Sequence, residues 1–235
     1  AKQFGAKKLL FVVHRRTIAE KSMQSYKTLF GDSVKMGLYS GSEKELEADF
    51  IFCTIQTLAK TEHLQNFHKK HFDYIVIDET HRAAAHSYNQ ILNHFEPRFL
   101  LGMTATPERT DGGDVFKLFD YNIAYEIRLH EALKEEILCP FHYFGVTDIE
   151  VDGQLLKEKA DFNLLTSDQR INHIINTIIK YGSDSGIVRG LVFCSRKEEC
   201  HFLAAEFNKR HLRSIALTGE NNKEGERANA IHLLE

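Results

Sequence analysis

The chain has 235 residues, of which 43% are hydrophobic and 27% are charged, and its formal net charge at pH 7 is −3. These values are typical of a globular protein with a sizeable core, and they exclude a disordered or low-complexity chain. The chain has no net positive charge, so binding of nucleic acid would depend on local contacts. No apolar run approaches the roughly 18 residues of a membrane-spanning helix, and we expect a cytoplasmic location without a membrane partner.

Short apolar runs alternate with helical patterns through the first half of the chain. Runs that are apolar on both faces and separated by helices indicate a parallel sheet covered on each side, which is an α/β fold. The expected connection between successive strands is a right-handed βαβ crossover. We predict strands at Lys8–His14, Val34–Tyr39, Asp49–Thr54, Tyr74–Asp78 and Arg98–Met103, and helices at Thr17–Phe30, after Gln56 and around Tyr88–Phe95.

The pattern loosens from Asp120 onward and then restarts, so we predict two domains, residues 1–136 and 137–235. Each would be a parallel-sheet domain, and both would be incomplete, because neither half supplies the strands of a full open sheet. The last helical pattern reaches Glu235 without a cap, so we expect a fragment of a longer protein. In the second half we predict helices at Leu129–Glu136, Ser167–Tyr181, Lys197–Lys209 and from about Asn222, strands at Phe141–Val146, Gly190–Cys194 and Ser214–Leu217, and a loop at Asp148–Leu165.

Two acidic residues, Asp78 and Glu79, directly follow the most regular apolar strand. The carboxyl end of a parallel strand is where open α/β sheets bind ligands. An aspartate there can hold a hydrated magnesium ion that bridges phosphates, and the adjacent glutamate can orient or deprotonate a water molecule. The alternative is that both carboxylates only cap the next helix and stay solvated.

A second polar segment, Thr104-Ala105-Thr106-Pro107, follows the next strand along the chain. Parallel strands end at the same edge of a sheet, so we expect its hydroxyl groups near the acidic pair. Two hydroxyls that flank an alanine can hydrogen-bond to carboxylates at a neighbouring strand end. By itself such a segment is usually only a turn.

Together the two segments resemble motifs II and III of superfamily-two DEAD/DEAH-box helicases, and the nearest type is that of restriction-enzyme helicase subunits. Residues 78–81 read Asp-Glu-Thr-His, and residues 104–107 read Thr-Ala-Thr-Pro. Other segments match the same family in the same order along the chain. These are Leu10–Arg15 for motif Ia, Phe52–Leu58 for the TxQTL element, Leu191–Arg196 for motif IV, and Leu217–Gly219 for the loop that follows it.

The resemblance implies two RecA-like domains of the P-loop NTPase fold and an enzyme that uses ATP and Mg²⁺. It implies that Asp78 coordinates magnesium through water and that Glu79 is the catalytic base. It also assigns the coupling of hydrolysis to strand movement to His81, Thr104 and Thr106. Nucleic-acid contacts are assigned to Arg15, Thr54, Gln56, Ser195, Arg196, Thr218 and Gly219.

One departure from the family concerns the phosphate-binding loop. The motif G-x-x-x-x-G-K-[ST], whose amides cradle phosphates and whose lysine neutralises them, is absent from these residues. Motifs V and VI, the latter with the family's arginine fingers, would fall beyond Glu235. We therefore expect the central part of an ATP-dependent helicase or translocase, inactive alone. The resemblance favours DNA over RNA as its partner, and the parent protein could carry appended nuclease or restriction domains.

Two other functions were weighed against the enzyme. A non-catalytic nucleic-acid-binding or scaffolding module could keep a helicase-like fold, although the retained acidic pair favours the enzyme. A dinucleotide-dependent dehydrogenase is excluded, because no G-x-G-x-x-G follows any strand. Single residues also have simpler explanations: Arg15 as an exposed strand-end arginine, Thr54 as an ordinary strand residue, and Ser195 as the N-cap of the following helix.

Overall fold

A computed structural model describes residues 5, 7–82, 86–107, 115–146, 150–151, 154–155, 165–182, 186–219 and 225–234. The chain divides into two compact units, residues 1–132 (unit 1) and 133–235 (unit 2). This division falls inside the helix Leu129–Lys134, just ahead of the position predicted from the sequence.

Unit 1 is built on a six-stranded sheet in the order β3-β2-β4-β1-β5-β6. All neighbouring pairs run parallel except β3, which pairs antiparallel with β2. The predicted α/β class with a parallel sheet is therefore confirmed. The strands are β1 Leu9–Val13, β2 Met36–Ser40, β3 Glu43–Lys44, β4 Phe50–Thr54, β5 Tyr74–Asp78 and β6 Phe99–Met103.

Helices cover both faces of this sheet. Alternate residues of β1 point to opposite faces, and Leu10 and Val12 belong to one buried cluster while Phe11 and Val13 belong to the other. This explains why β1 is apolar at every position. The helices of unit 1 are α1 Arg16–Phe30, α2 Ile55–Leu58, α3 Thr61–Leu64, α4 His86–His94 and α5 Leu129–Lys134, with 3-10 turns at Gly31–Ser33, Thr80–Arg82 and Phe116–Phe119.

Among its described residues, unit 2 contains three helices, of which the first two pack together, and a short hairpin. Ile171, Leu203 and Phe207 form its buried cluster. Two ion pairs, each with an N–O distance of 2.8 Å, join the first helix to the second: Arg170 with Glu199, and Asp168 with Arg210. The elements are β7 Glu150–Val151, β8 Gln154–Leu155, α6 Asp168–Tyr181, α7 Lys197–Lys209 and α8 Glu226–His232.

The strand predictions at 141–146, 190–194 and 214–217 are wrong for the described structure, because these segments pair with no strand there. Their apolar side chains are correspondingly exposed, with Phe193 at 91% and Leu191 at 69%. A strand exists through hydrogen bonds to a neighbour, and an apolar run shows only a local preference. Within the predicted loop 148–165, β7 and β8 pair antiparallel. No helix among the described residues is both long and apolar enough to cross a membrane.

Asp73 anchors the start of β1 beside β5. Its Oδ2 accepts hydrogen bonds from the backbone N–H of Lys7 at 2.8 Å and of Lys8 at 3.0 Å. These bonds, that of Lys8 foremost, hold the pKa of the Asp73 carboxyl below its ordinary value. Because the ionised carboxylate is favoured in the folded state, its stabilising effect is present above about pH 4 and is lost as pH falls through the lowered pKa.

We predict that Asp73→Asn lowers the free energy of unfolding by about 1 kcal/mol at pH 7, because a charge-assisted acceptor is lost. The difference from the wild type should stay constant between about pH 5 and 8 and shrink below about pH 4. Urea unfolding at several pH values measures it, with the exposed Asp32→Asn as the matched control. A difference that grows on acidification would contradict this account of Asp73.

Candidate functional site

The acidic pair lies at the carboxyl end of β5, as predicted. Asp78 is the last residue of this strand and is half-buried. Its Oδ1 accepts a hydrogen bond from the backbone N–H of Glu79 at 3.0 Å. Glu79 has a φ of 56°, a left-handed conformation that is uncommon for residues other than glycine. The chain therefore turns sharply at Glu79, directly after the buried strand.

Thr80 holds this turn against the neighbouring strand. It is 1% exposed, and its hydroxyl donates to the carbonyl oxygen of Met103 at 3.1 Å. The adjacent Gly102 leaves room for this packing, because an added Cβ there would lie 2.8 Å from the Thr80 methyl carbon and 2.3 Å from the ring of Phe119. The motif at residues 78–81 includes Thr80 without assigning it a role, and nothing in the sequence indicates the contact made by Phe119.

His81 joins the acidic pair to the threonine segment. Its Nδ1 lies 3.1 Å from Oε2 of Glu79 and 3.1 Å from the hydroxyl oxygen of Thr104. Thr104 Oγ1 also accepts a hydrogen bond from the backbone N–H of Thr106 at 3.1 Å. The structure therefore places all three predicted coupling residues in one chain of polar contacts with Glu79.

The predicted nucleic-acid residues of unit 1 lie at the same edge of the sheet. Arg15 follows β1 and is exposed, and its Nε donates to Nε2 of His14 at 3.1 Å. Gln56 is exposed at the start of α2, just after β4. Thr54 ends β4 and differs from the other two, because it is only 6% exposed. Their contacts with nucleic acid stay predictions.

In unit 2, Ser195 is held by a buried carboxylate. Its backbone N–H and its hydroxyl both donate to Oε2 of Glu199, at 3.1 and 3.0 Å, and Glu199 is 2% exposed. Arg170 donates to the other oxygen of Glu199 at 2.8 Å. The N-cap interpretation of Ser195 is wrong, because Arg196 occupies the N-cap of α7. The pairing of Arg170 with Glu199 was not predicted, because it joins two helices and leaves no local signal in the sequence.

The remaining residues predicted in unit 2 lie at the surface or just beneath it. Arg196 and Gly219 are exposed, and Thr218 is half-buried. The neighbouring Cys194 is also half-buried, and burial raises the pKa of its thiol to about 11. The roles of Arg196, Thr218 and Gly219 in binding nucleic acid stay predictions.

The carboxylates of unit 1 suit a magnesium ion held mainly through water. Mg²⁺ prefers oxygen ligands and keeps several waters, so that one or two carboxylates suffice beside substrate phosphates. Asp78 supplies such an oxygen at an open strand end, since among the described residues only its Oδ1 accepts a hydrogen bond, from the Glu79 amide. In the part of the chain that the structure describes, no three His, Cys, Asp or Glu side chains cluster as a metal cage. The residues present therefore fit this metal, with Asp78 as the protein ligand.

The chain is similar in sequence to a known protein family and to several known proteins. Residues 1–109 match the family model for the res subunit of type III restriction enzymes. A Saccharomyces cerevisiae protein that carries the name of an ATP-dependent helicase, IRC3, is 28% identical over 97% of this chain and 34% of its own length. The predicted resemblance to superfamily-two helicases of the restriction-subunit type is confirmed.

Two further relatives are similar to this chain. The type I restriction enzyme EcoAI endonuclease subunit of Escherichia coli is 28% identical over 72% of this chain and 22% of its own length. A protein of Acanthamoeba polyphaga mimivirus, named as an ATP-dependent RNA helicase, L396, is 26% identical over 57% of this chain and 25% of its own length. The chain thus spans between 22% and 34% of the length of these three relatives.

The contact between Gly102 and Phe119 lies beside the turn at Glu79 and can be tested by mutation. Gly102→Ala should lower the free energy of unfolding by about 1–3 kcal/mol, because the new methyl group overpacks against Phe119 and Thr80. The penalty should be smaller in a Phe119→Leu background, which leaves the methyl group more room. Urea unfolding of the single and double variants measures this coupling.

Gly145→Ala is the matched control, since an added Cβ at Gly145 meets no atom within 4 Å. Equal losses of stability from Gly102→Ala and Gly145→Ala would show that Phe119 does not pack against β6 in solution.

Proposed function

We propose that this chain is part of an ATP-dependent helicase or translocase, and that the carboxyl edge of the unit 1 sheet is its hydrolysis site. The observation that carries the proposal is the chain of polar contacts from Glu79 through His81 to Thr104, beside Asp78 at the end of β5. An acidic pair at such an edge matches the requirements of phosphoryl transfer, which depends on positioning and on charge stabilisation. The named helicase relatives support the same assignment.

Glu79 acts as the general base in this proposal. Its carboxylate accepts the proton of the attacking water molecule, and the contact of its Oε2 with His81 Nδ1 at 3.1 Å keeps it in a fixed orientation. Asp78 binds Mg²⁺ through water, and the ion, when bound, neutralises charge on the phosphates. The left-handed turn at Glu79 brings its carboxylate within reach of His81, so the fold itself orients the base.

His81 carries the coupling between hydrolysis and movement. Its Nδ1 bears at most one hydrogen, so its bonds to Glu79 and to Thr104 compete for the same atom. Any change in the hydrogen bonding of Glu79 during turnover therefore alters the bond between His81 and Thr104. Through the Thr106 amide, that change reaches the backbone beyond β6.

The nucleic-acid partner is proposed to be DNA. This preference rests on the match to restriction-enzyme subunits, whereas the relative named as an RNA helicase makes RNA the outcome to test against it. The proposed contacts are Arg15, Thr54 and Gln56 in unit 1, and Ser195, Arg196, Thr218 and Gly219 in unit 2. Hydroxyls, amides and a few cations suffice for backbone contacts, so a net charge of −3 is no obstacle.

The 235-residue chain by itself should hydrolyse ATP no faster than buffer, because it contains no G-x-x-x-x-G-K-[ST] segment to hold the phosphates. A phosphate-release assay with and without oligonucleotide measures this. Turnover by the isolated chain that Glu79→Gln abolishes would mean that its phosphate site is already complete.

In the full-length protein, Glu79→Gln should lower kcat by about 100-fold or more while the affinity for ATP changes little. The amide keeps the shape of the side chain but no longer accepts the water's proton. Nucleic-acid-stimulated ATPase kinetics, with ATP affinity from a fluorescent analogue, separate the two effects. Glu96→Gln, at an exposed surface ion pair, is the matched control. Parallel losses of binding and turnover would make Glu79 a structural residue and would favour the non-catalytic module.

A further inference from the structure

A buried carboxylate organises the start of α7 in unit 2. Glu199 accepts both polar hydrogens of Ser195 on its Oε2, and it accepts a hydrogen of Arg170 on its Oε1. Ser195 itself is exposed, whereas Glu199 is buried. The backbone N–H and the hydroxyl hydrogen of Ser195 therefore both point inward, and neither is left to donate to a phosphate oxygen.

Glu199 also takes over the capping of this helix. The N-cap residue of α7 is Arg196, whose side chain forms no cap hydrogen bond, although N-cap residues are usually Ser, Thr, Asp or Asn. Glu199, at the third helical position, reaches back as in a capping box, but it binds the N–H of Ser195, one residue ahead of the N-cap. Behind Arg196, its carbonyl oxygen accepts the N–H of Cys200 at 3.2 Å. The backbone of Arg196 is thus held on both sides.

Arg170 fixes the carboxylate from the neighbouring helix. Its Nη1 donates to Oε1 of Glu199 and to the carbonyl oxygen of Leu165, each at 2.8 Å. Its helix, α6, packs against α7 through Ile171 and Leu203. A buried ion pair often adds no more stability than an apolar pair of similar size, so the contribution of these charges is a fixed geometry. The position of α6 is thereby transmitted to the residues that precede α7.

The first turn of α7 also contacts the second segment of unit 2 that is assigned to nucleic acid. Sγ of Cys200 lies 3.9 Å from the carbonyl oxygen of Leu217, the residue before Thr218. Residues 195–196 and 217–219 therefore meet at this turn, to which both Glu199 and Cys200 belong. The contacts proposed for unit 2 have one common support.

We propose that Glu199, held by Arg170, is a positioning residue for the binding of nucleic acid by unit 2. It fixes the backbone at Ser195, and this determines how Arg196 is presented to a phosphate. The inference rests on the proposed function and adds to it two residues, Arg170 and Glu199, that the helicase resemblance did not assign. It also specifies the part of Ser195, which meets a strand as an acceptor at most, whereas Arg196 supplies the cation.

The test is a double-mutant cycle in the full-length protein, with affinity for fluorescein-labelled dT20 and U20 measured by anisotropy at several KCl concentrations. Arg196→Gln should weaken binding by about tenfold and reduce the slope of log affinity against log salt by about 0.7, the contribution of one phosphate of a single strand. Glu199→Gln should weaken binding by about fivefold, because its amide nitrogen donates where a carboxylate oxygen accepted. The double variant should bind like Arg196→Gln alone, since Glu199 acts through Arg196.

Glu206→Gln is the matched control. Glu206 lies in the same helix and also pairs with two basic residues, Lys209 and Arg210, but at the other end of α7. This variant should leave the affinity and the salt slope unchanged. An equal loss of affinity in Glu206→Gln would show that any disturbance of α7 weakens binding, and it would overturn the positioning role.

Ser195→Ala keeps the test valid if Glu199→Gln disturbs folding. The variant removes one hydrogen bond to Glu199 from an exposed side chain. It should weaken binding by about twofold in the wild type and have no effect in the Arg196→Gln background. A loss that persists in that background would mean that Ser195 acts on the strand directly.

The outcomes separate this inference from the proposed function. Additive effects of Glu199→Gln and Arg196→Gln would overturn the inference, because Glu199 would then act independently of the cation. An unchanged affinity in Glu199→Gln would overturn it as well, and the helicase proposal would stand if the wild type binds an oligonucleotide and Arg196→Gln weakens that binding. If the wild type binds neither oligonucleotide, the proposed nucleic-acid partner and this inference both fail.

Discussion

Parallel hydrogen bonding among β2, β4, β1, β5 and β6 is the constraint on which the rest of unit 1 depends. Buried backbone N–H and C=O groups must be paired, so the register of these strands cannot slip without a large cost. As a consequence, all five strands leave the sheet at one edge. That edge brings Thr54, Asp78 and Thr104 to the same side of unit 1 from distant parts of the chain, and it is open to water, where carboxylates can stay charged.

The chemistry proposed for this edge depends on a turn that is unfavourable on its own. A left-handed residue such as Glu79 costs on the order of 1–2 kcal/mol, and the surroundings must hold it in place. Thr80 does so through its buried bond to Met103, and Phe119 closes the other side by packing on Gly102. The strained residue is thus Glu79, the proposed general base. The contacts of Thr80 with Met103 and of Phe119 with Gly102 offset the cost of its conformation.

Much of unit 1 could be predicted from the sequence, because each central strand is an apolar run whose bounds differ from the prediction by at most one or two residues. The acidic pair was placed correctly for the same reason, since chain order fixes which strand end it follows. The packing of Phe119 on Gly102 had no such signal, because nothing local shows which distant side chain fills a gap. In unit 2 the apolar run 190–194 was wrongly predicted to be a strand. A local pattern does not show whether a neighbouring strand is present to pair with it.

The central claim is that Asp78 and Glu79 form a hydrolytic centre with a divalent cation. Electron paramagnetic resonance titration of Mn²⁺, as a substitute for Mg²⁺, into the full-length protein saturated with ATP tests it most directly. The account predicts that Asp78→Asn weakens Mn²⁺ binding in the ATP complex by about tenfold or more, because a carboxylate holds a hard cation that an amide holds poorly. An unchanged Mn²⁺ affinity in Asp78→Asn would contradict the account.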